Sequence, residues 1–493
     1  MRRMKKIVSI VYIALIFYIS GCTKIKDFGN TNVDPLTTKN PIPSALLTSS
    51  LSSVPNVSEV VYTGQYCQYF SETEYPGFSL YGSNIYSPMG YYSTVLYDLQ
   101  NIINVNSDTL TKTDASHYGT NENQIAIARI LKAYTFWNLT NEWGDIPYRD
   151  ALKGKPDLNY DTQESIYSDL LKELTEAAGQ FKTGDKIIAV QGDIAFNSGL
   201  AKWKKLANSL RMLISLTLSK RYPDASGYAA TEFRAALNDP SGSITDNSGN
   251  FKLDYPGGSA YRNPFYDMYN GAKYFGESAT LTSILIDTIG NDERQSVFGA
   301  DITGAYSTLG VPYGRTREFT DSWCQNNPTW CFILAPSYRT QTSPLYLITA
   351  AHVLLARAEA ADRGWTTENV STLYKEGINA SFTQWGLAEP DANYFLKEAV
   401  ELGPVGTNLK QIAIQQYIAF YPDGTQGWNT WRRTGWPVLI PAPDAVNFPK
   451  VIPRRYMYGT DDYALAARGV AEAVSRLQPN GDKMDSRVWW DEE

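Results

Sequence analysis

Two stretches of the sequence place aromatic rings among turn-forming residues. The first stretch, from Tyr75 to Tyr86, mixes its rings with Gly, Pro, Ser and Asn, and the second runs from Tyr313 to Phe332. Irregular backbone normally lies at the protein surface, where a ring can bind a ligand or can simply pack down the loop that carries it. The candidate ligand-binding rings are Tyr75, Phe78, Tyr81, Tyr86, Tyr313, Trp323, Trp330 and Phe332.

Tyrosine and tryptophan rings combine an apolar face with a polar atom, which suits surfaces that bind polar ligands or partners. A ring also loses few rotamers on binding. Aromatic residues make up 13% of the chain, which favours such a surface, although core packing is the commoner role of any single ring. Several contacts of about 1 kcal/mol each predict micromolar to millimolar capture.

Acidic residues beside these rings raise the alternative of an enzyme that cleaves surface polysaccharides. That chemistry needs two carboxyl groups flanking the scissile bond, one of them with a pKa raised by burial. Glu72, Glu74 and Asp321 are candidates by position, but solvated loop charges explain them more simply. The sequence has no GxSxG motif, no P-loop and no zinc-ligand spacing, so we assign no catalytic residue, metal or cofactor.

The cysteines and the second histidine favour structural roles. Cys324 and Cys331 bracket the short polar loop QNNPTW, which a disulfide could close in an oxidising compartment. Cys67 would then be unpaired and buried as a small hydrophobic residue. His352 lies in an apolar frame, which predicts a core histidine with satisfied hydrogen bonds.

The clearest element that could position these groups is the helix within residues 124–148. Its apolar residues recur at helical spacing and form a wide stripe, which partner helices must cover. Gly144 frees the backbone and Pro147 forbids continuation of the helix. We therefore expect Trp143 to Tyr148 to form a packed corner.

Helical periodicity recurs on both sides of a less regular central region. Ser343 is expected to cap one helix, with Pro344 in its first turn. Between residues 226 and 340 the periodicity weakens, which predicts either a second domain or a large insertion carried by the helical frame. The predicted partner helices lie at about 44–54, 56–70, 91–103, 161–181, 197–221, 280–289, 343–364, 369–385, 408–420 and 462–477.

The N-terminus has the order of a secretory signal. Four basic residues precede an apolar run at residues 7–19 that is too short to span a bilayer. The run ends ISGC, which resembles a bacterial lipoprotein signal and implies cleavage of residues 1–21 and diacylation of Cys22. Residues 22–40 are polar and turn-rich and predict a tether. Removing the four basic residues changes the net charge from -7 to -11, which argues against nucleic acid as a partner.

Five segments resemble one family in the same order along nearly the whole chain. They read ARILKAYTFWNLTNEWGDIPY, SIYSDLLKELTEAA, AKWKKLANSLRMLI, PLYLITAAHVLLARAEAADRGW, and QQYIAFYPDGTQGWNTWRRTGWPVL with a final VWWD. Together with the lipoprotein signal, they resemble the SusD/RagB family, closest to its second SusD-like subgroup. Five matching segments in the same order, together with the lipoprotein signal, make the resemblance strong.

The resemblance implies a mainly α fold, with one large domain at residues 41–493 built from four tetratricopeptide-like helix pairs and irregular insertions. It implies a lipid-anchored protein on the outer surface of the outer membrane that binds an oligosaccharide or peptide and closes as a lid over a SusC-like TonB-dependent transporter. The ligand-binding rings of sugar-binding members transfer loosely to the two ring-bearing stretches. Trp143 to Tyr148 and Arg432 to Trp436 match the family well and are interpreted as architectural. A polysaccharide-degrading enzyme and an envelope scaffold remain the alternatives.

Overall fold

The computed structural model of the protein describes residues 41–57, 60–82, 85–154, 158–259, 261–269, 271 and 273–493. The signal peptide, the lipidation site Cys22 and the tether lie outside the described residues. Residues Ile42–Glu493 form one compact unit. Within the described part of the chain, no helix combines the length and apolar character needed to cross a membrane.

The helix Asn121–Trp143 is the centre of this unit and is buried on nearly all sides from Asn123 onward. The sequence predicted a single apolar face, but the helix is covered all round because several helices pack against it. It ends at Gly144, whose φ of 90° suits glycine. Ile146 is fully buried, so the predicted packed corner is confirmed. Its neighbours include the helices Pro43–Val57, Val95–Ser107, Gln163–Gln180, Leu200–Thr217 and Gly424–Thr434.

Four pairs of long helices follow one another along the chain, and the two members of each pair are in contact. This arrangement confirms the predicted mainly α fold with a single helical domain. The pairs are Val95–Ser107 with Asn121–Trp143, Gln163–Gln180 with Leu200–Thr217, Ala350–Asp362 with Val370–Gln384, and Leu409–Phe420 with Gly424–Thr434.

Further helices extend this frame or lie in the loops that leave it. The helix Tyr228–Leu237 packs on Leu200–Thr217, and the segment that follows it carries short helices and strands. The other α-helices are Pro43–Val57, Val60–Tyr66, Met89–Tyr92, Lys112–Ala115, Pro264–Asp267, Ala279–Ser283, Gln295–Phe298, Arg317–Asn326 and Thr460–Arg476.

Short strands connect distant parts of the chain in two-stranded sheets. The strands are β1 (Phe70–Glu72), β2 (Ile85–Tyr86), β3 (Phe251–Leu253), β4 (Phe275–Glu277), β5 (Gly299–Ala300), β6 (Phe332–Ile333), β7 (Leu345–Ile348) and β8 (Met457–Tyr458). β1 pairs with β4, β3 with β7 and β5 with β6 in the antiparallel sense, whereas β2 and β8 are parallel. The pairings of β1 with β4 and of β3 with β7 join the central region to the segments on either side of it.

The helix predicted to begin at Ser343 begins at Ala350 instead. Residues Leu345–Ile348 form β7, since their alternating side chains also fit a strand and β3 supplies the hydrogen-bonding partner. Thr349 caps the helix, and its backbone N–H donates to Nδ1 of His352 at 3.2 Å. Nε2 of His352 lies 3.0 Å from the carbonyl oxygen of Ala419, and burial lowers the pKa of the imidazole to about 4. The predicted core histidine is therefore confirmed.

The arginines near the end of Gly424–Thr434 hold the frame together. The guanidinium of Arg432 lies 3.8 Å from the ring centroid of Trp428 and 4.9 Å from that of Trp490. Arg433 forms a buried ion pair with Glu359, with one N–O distance of 2.7 Å. Burial alone would raise the pKa of Glu359, but the charges of Arg433 and Arg363 hold it at about 2. These contacts support the architectural interpretation of this segment.

Candidate functional site

An exposed pair of tyrosine rings lies where β1 and β4 leave their sheet. The pairing continues one residue beyond the strands, since the backbone N–H of Thr73 donates to the carbonyl oxygen of Tyr274 at 2.9 Å. This brings the ring of Tyr75 within 5.5 Å of the ring of Tyr274, at an interplanar angle of 59°. Tyr75 is 60% exposed and Tyr274 is 40% exposed. Two ring faces at such an angle form an open apolar corner that solvent, or a ligand, can reach.

The helix Arg317–Asn326 packs beside this corner. Thr320 is buried and its hydroxyl donates to the carbonyl oxygen of Thr73 at 2.9 Å, which fixes the helix to the end of β1. Arg317 lies one turn earlier, with its guanidinium carbon 4.9 Å from the ring centroid of Tyr75. Nε of Arg317 also lies 3.5 Å from a carboxylate oxygen of Asp321. The corner thus has planar charged groups at its rim that can bond hydroxyl groups.

A buried ring stack supports the same region from below. Trp330 and Phe332 stack with centroids 3.9 Å apart and an interplanar angle of 14°, and both are buried. The stack packs against β4 at Gly276, where a Cβ atom would come within 2.9 Å of the Trp330 ring. The half-buried Trp323 packs on this stack from the helix that carries Arg317. Trp330 and Phe332 therefore have no ring face open to a ligand, contrary to their predicted role.

Tyr81 and Tyr313 are also core residues and not ligand-facing rings. Tyr81 is fully buried, and its hydroxyl accepts from the backbone N–H of Ala442 at 3.0 Å. Tyr313 is buried, and its hydroxyl donates to the carbonyl oxygen of Gln65 at 2.6 Å. Their rings lie 6.4 Å apart. The core covers both rings, and backbone groups form hydrogen bonds with both hydroxyl groups. The predicted ligand-binding role of these two tyrosines is therefore corrected to a structural one.

Phe78 and Tyr86 join a second ring group that includes Tyr62. Tyr62 and Phe78 stack at 4.2 Å, and Tyr86 lies 5.8 Å from Tyr62 and 5.7 Å from Phe78. Tyr62 is 37% exposed, while Phe78 and Tyr86 are half-buried. The rings cover one another, which leaves them less open area than the corner formed by Tyr75 and Tyr274.

Of the eight rings singled out in the sequence, Tyr75 is thus the exposed one, and Trp323 supports the same region. Tyr274 and Arg317 were missed. Tyr274 precedes β4 in a segment without clear periodicity, and the pairing of β4 with β1 could not be read from that segment. Arg317 is the first residue of a helix, and the threonine before it, Thr316, is a residue type that commonly caps helices, which is a signal that the sequence does contain. In the structure the Thr316 hydroxyl accepts from the backbone N–H of Phe319.

Glu72, one of the carboxyl groups considered for catalysis, is held by neighbouring residues. One carboxylate oxygen of Glu72 accepts from the backbone N–H groups of Phe78 and Ser79, both at 2.9 Å, and from the Ser79 hydroxyl at 2.7 Å. Burial raises the pKa of Glu72, and the hydrogen bonds only partly offset this shift. The carboxylate therefore closes the loop that carries Tyr75 and Phe78. Within the described ranges, no group of three or more His, Cys, Asp or Glu side chains is arranged to hold a metal ion.

The predicted disulfide between Cys324 and Cys331 is absent, and both thiols are free. Trp330 and Phe332 share one side of the extended chain, so Cys331 between them points to the other side, where its sulfur is 3.8 Å from Nε2 of Gln295. Cys324 packs on the side of the two rings. The two thiols therefore lie on opposite sides of this segment. Cys67 is buried, as predicted.

Comparisons with known proteins agree with this architecture. The sequence profile of a SusD-like family, described as starch-binding and associating with the outer membrane, matches residues 35–459. No curated protein matches the chain.

Solved structures with the same fold cover most of the chain. A chitin-binding SusD homologue from Flavobacterium johnsoniae is 22% identical, with a TM-score of 0.72, and the match covers 92% of this chain and 98% of that one. A SusD homologue from Parabacteroides distasonis is 22% identical over the same shares, with a TM-score of 0.77. A third, from Bacteroides fragilis, is 21% identical with a TM-score of 0.76, covering 91% of this chain and 100% of that one. With the family profile matched over most of its length, the chain belongs to the SusD-like family described as starch-binding and associating with the outer membrane.

Proposed function

We propose that the protein is a lipid-anchored receptor on the outer surface of the outer membrane that binds a glycan and delivers it to a SusC-like TonB-dependent transporter, over which it closes as a lid. The observation that carries the glycan part is the exposed corner formed by Tyr75 and Tyr274 with Arg317 at its rim. The family description supports the same class of ligand.

The corner suits a sugar because apolar and polar groups lie next to each other. The two ring faces can cover C–H faces of adjoining sugar units, and Arg317 and Asp321 can bond hydroxyl groups in the plane of the ring. The rings are held from behind by the β1 and β4 pairing and by Thr320, so little ordering is needed on binding. Affinity in the micromolar to millimolar range suits a receptor whose ligand is removed by a transporter.

Anchoring and partnership rest on the N-terminal sequence and the family. Cys22 is the proposed lipidation site, and residues 22–40 are the proposed tether between the lipid and the helical domain. The structural relatives whose names state a ligand are described as chitin-binding proteins, so glycan is placed before peptide as the ligand class.

The test is a binding panel of starch, chitin and other oligosaccharides together with short peptides, with product analysis on the same mixtures. Saturable binding of an intact oligosaccharide is the expected result. Shortened products would show an enzyme, and binding of peptides alone would replace glycan with peptide as the ligand class. For the partner, purification of the lipidated protein from its native membrane should recover a large outer-membrane transporter, and a Cys22→Ala variant should leave the membrane fraction.

A further inference from the structure

A second set of aromatic rings borders a cavity that shares no residue with the Tyr75 and Tyr274 corner. The cavity has a volume of about 510 Å³ and lies beside the helix Gln163–Gln180. Three of its four rings come from separate segments: Tyr222 follows the helix Leu200–Thr217, Tyr228 opens the next helix, and Trp489 lies near the C-terminal end of the chain. The fourth ring, Tyr167, is fully buried. The volume is within the range of small-ligand sites.

The three rings form a wall and not a closed stack. The rings of Tyr222 and Tyr228 lie 5.7 Å apart at an angle of 71°, and those of Tyr222 and Trp489 lie 6.2 Å apart at 60°. Tyr228 is 37% exposed and Trp489 is half-buried. Arg221 covers part of the Trp489 ring at 5.0 Å, which fixes that ring in place. The open ring area therefore belongs chiefly to Tyr228 and faces the cavity.

The charged side chains that line the cavity are balanced in sign. Arg149 and Lys172 contribute positive charge, and Glu164 and Asp169 contribute negative charge. An ionic ligand would meet as many like charges as opposite ones, so the lining favours a neutral ligand. Hydroxyl groups of neighbouring serine and threonine side chains add further donors and acceptors. A neutral molecule with many hydroxyl groups and an apolar face matches this lining, and saccharides have that chemistry.

A second cavity of about 550 Å³ lies next to the first, and the two share Thr162, Glu164 and Trp489 in their linings. A single sugar unit would leave most of the first cavity unfilled, so the volume of that cavity favours an oligosaccharide.

We propose that the cavity lined by Tyr222, Tyr228 and Trp489 is a second glycan-binding site for a neutral saccharide chain. The identity of the ligand class rests on the proposed function, but the position of the site does not. Two separate sites on one body would hold a polymer longer than either site alone, because the second binding event becomes intramolecular.

The test is hydrogen exchange of the full chain in detergent, with and without maltohexaose, chitohexaose or xylohexaose at millimolar concentration. Protection is expected in two places, at the backbone around Tyr75 and Tyr274 and at the backbone around Tyr222 and Trp489. A Tyr228→Ala variant should lose protection only at the second place, with an affinity there about fivefold weaker. Tyr97→Ala is the matched control, since Tyr97 is 55% exposed on another helix and lines neither site.

The outcomes separate this inference from the proposed function. Protection around Tyr75 and Tyr274 alone would overturn the second site and leave the glycan receptor intact. Protection around Tyr222 and Trp489 that persists in a Tyr75→Ala and Tyr274→Ala double variant would establish the second site independently. If Tyr228→Ala and Tyr97→Ala behave alike, the cavity is not a saccharide site. If no oligosaccharide changes exchange in either place, saccharide is the wrong ligand class and both proposals fall.

Discussion

The ring of Tyr75 lies 5.5 Å from the ring of Tyr274, although the two residues belong to distant parts of the sequence. The contact follows from the pairing of β1 with β4, which continues through the hydrogen bond from Thr73 to Tyr274. A loop and an irregular central segment are thereby joined into one exposed surface. The surface is fixed by backbone hydrogen bonds, so its side chains can be changed without removing a core contact.

Replacing these rings should weaken glycan binding without unfolding the protein. Tyr75→Ala and Tyr274→Ala each remove one ring face, worth about 1 kcal/mol, and each should lower affinity about fivefold. Calorimetric titration with the oligosaccharide that binds the wild-type protein measures the change. Tyr97→Ala, on an exposed helix face elsewhere, should bind as the wild-type protein does. Unchanged affinity in the double variant would move the site away from this corner.

Replacing Trp330 should lower the stability of the fold, because this ring is a core residue and not part of the exposed corner. Its ring is 6% exposed and stacks on Phe332 at 3.9 Å, so Trp330→Ala opens a cavity behind β4 and should cost about 3–5 kcal/mol of unfolding free energy. Thermal or urea unfolding measures this loss. Trp323→Ala, at a half-buried ring of the same region, should cost distinctly less. A Trp330→Ala variant with wild-type stability and abolished binding would restore the ligand role expected from the sequence.

The helical frame could be predicted because its signals are local. Periodicity located the helix Asn121–Trp143, and Gly144 with Pro147 located its end. The start of the helix Ala350–Asp362 was misplaced, because the spacing of Leu345 to Ile348 fits a helix and a strand equally well. The pairing with β3 decides between them, and that partner is distant in sequence.

The candidate site was only partly predictable because burial of a ring is not a local property. Tyr81 and Tyr75 lie in the same loop among the same residue types, yet one is fully buried and the other is 60% exposed. The difference comes from Tyr313 and Ala442, which contact Tyr81 from distant segments. Cys324 and Cys331 illustrate the same limit, since their spacing suits a disulfide but their side chains face opposite sides.

The free thiols predict a specific labelling pattern. Cys67, Cys324 and Cys331 should all react with a maleimide when the protein is denatured without reductant. In the folded protein, Cys324 should react first but slowly, because it is half-buried and burial raises the pKa of its thiol to about 11. Mass spectrometry of the digested protein assigns each label to its cysteine. A Cys324→Ser variant should lack the label that appears first in the folded wild-type protein. Two thiols that react only after reduction would show a disulfide that the structure lacks.

Glu277 should make the fold less stable as pH rises. The carboxyl group is fully buried, accepting from Thr282 at 2.9 Å and from Gln295 at 3.1 Å, and burial raises its pKa to about 8 against these hydrogen bonds. An unfolded glutamate has a pKa near 4.3. Between these values the folded state keeps a proton that the unfolded state releases, so the contribution of Glu277 to stability is largest below about pH 4 and is lost as pH rises through 8.

A Glu277→Gln variant removes this titration while keeping the shape of the side chain. Its amide can also donate to Oε1 of Gln295, a buried atom that has no hydrogen-bond partner among the described residues. The difference in unfolding free energy between variant and wild type should shift in favour of the variant by about 1–3 kcal/mol from pH 5 to pH 8. Urea unfolding at several pH values measures that difference. Asp423 is another buried carboxyl group with a raised pKa, but it is present in both proteins, so its contribution to the pH dependence is removed by the subtraction. Parallel curves for the two proteins would mean that Glu277 does not change its protonation on folding.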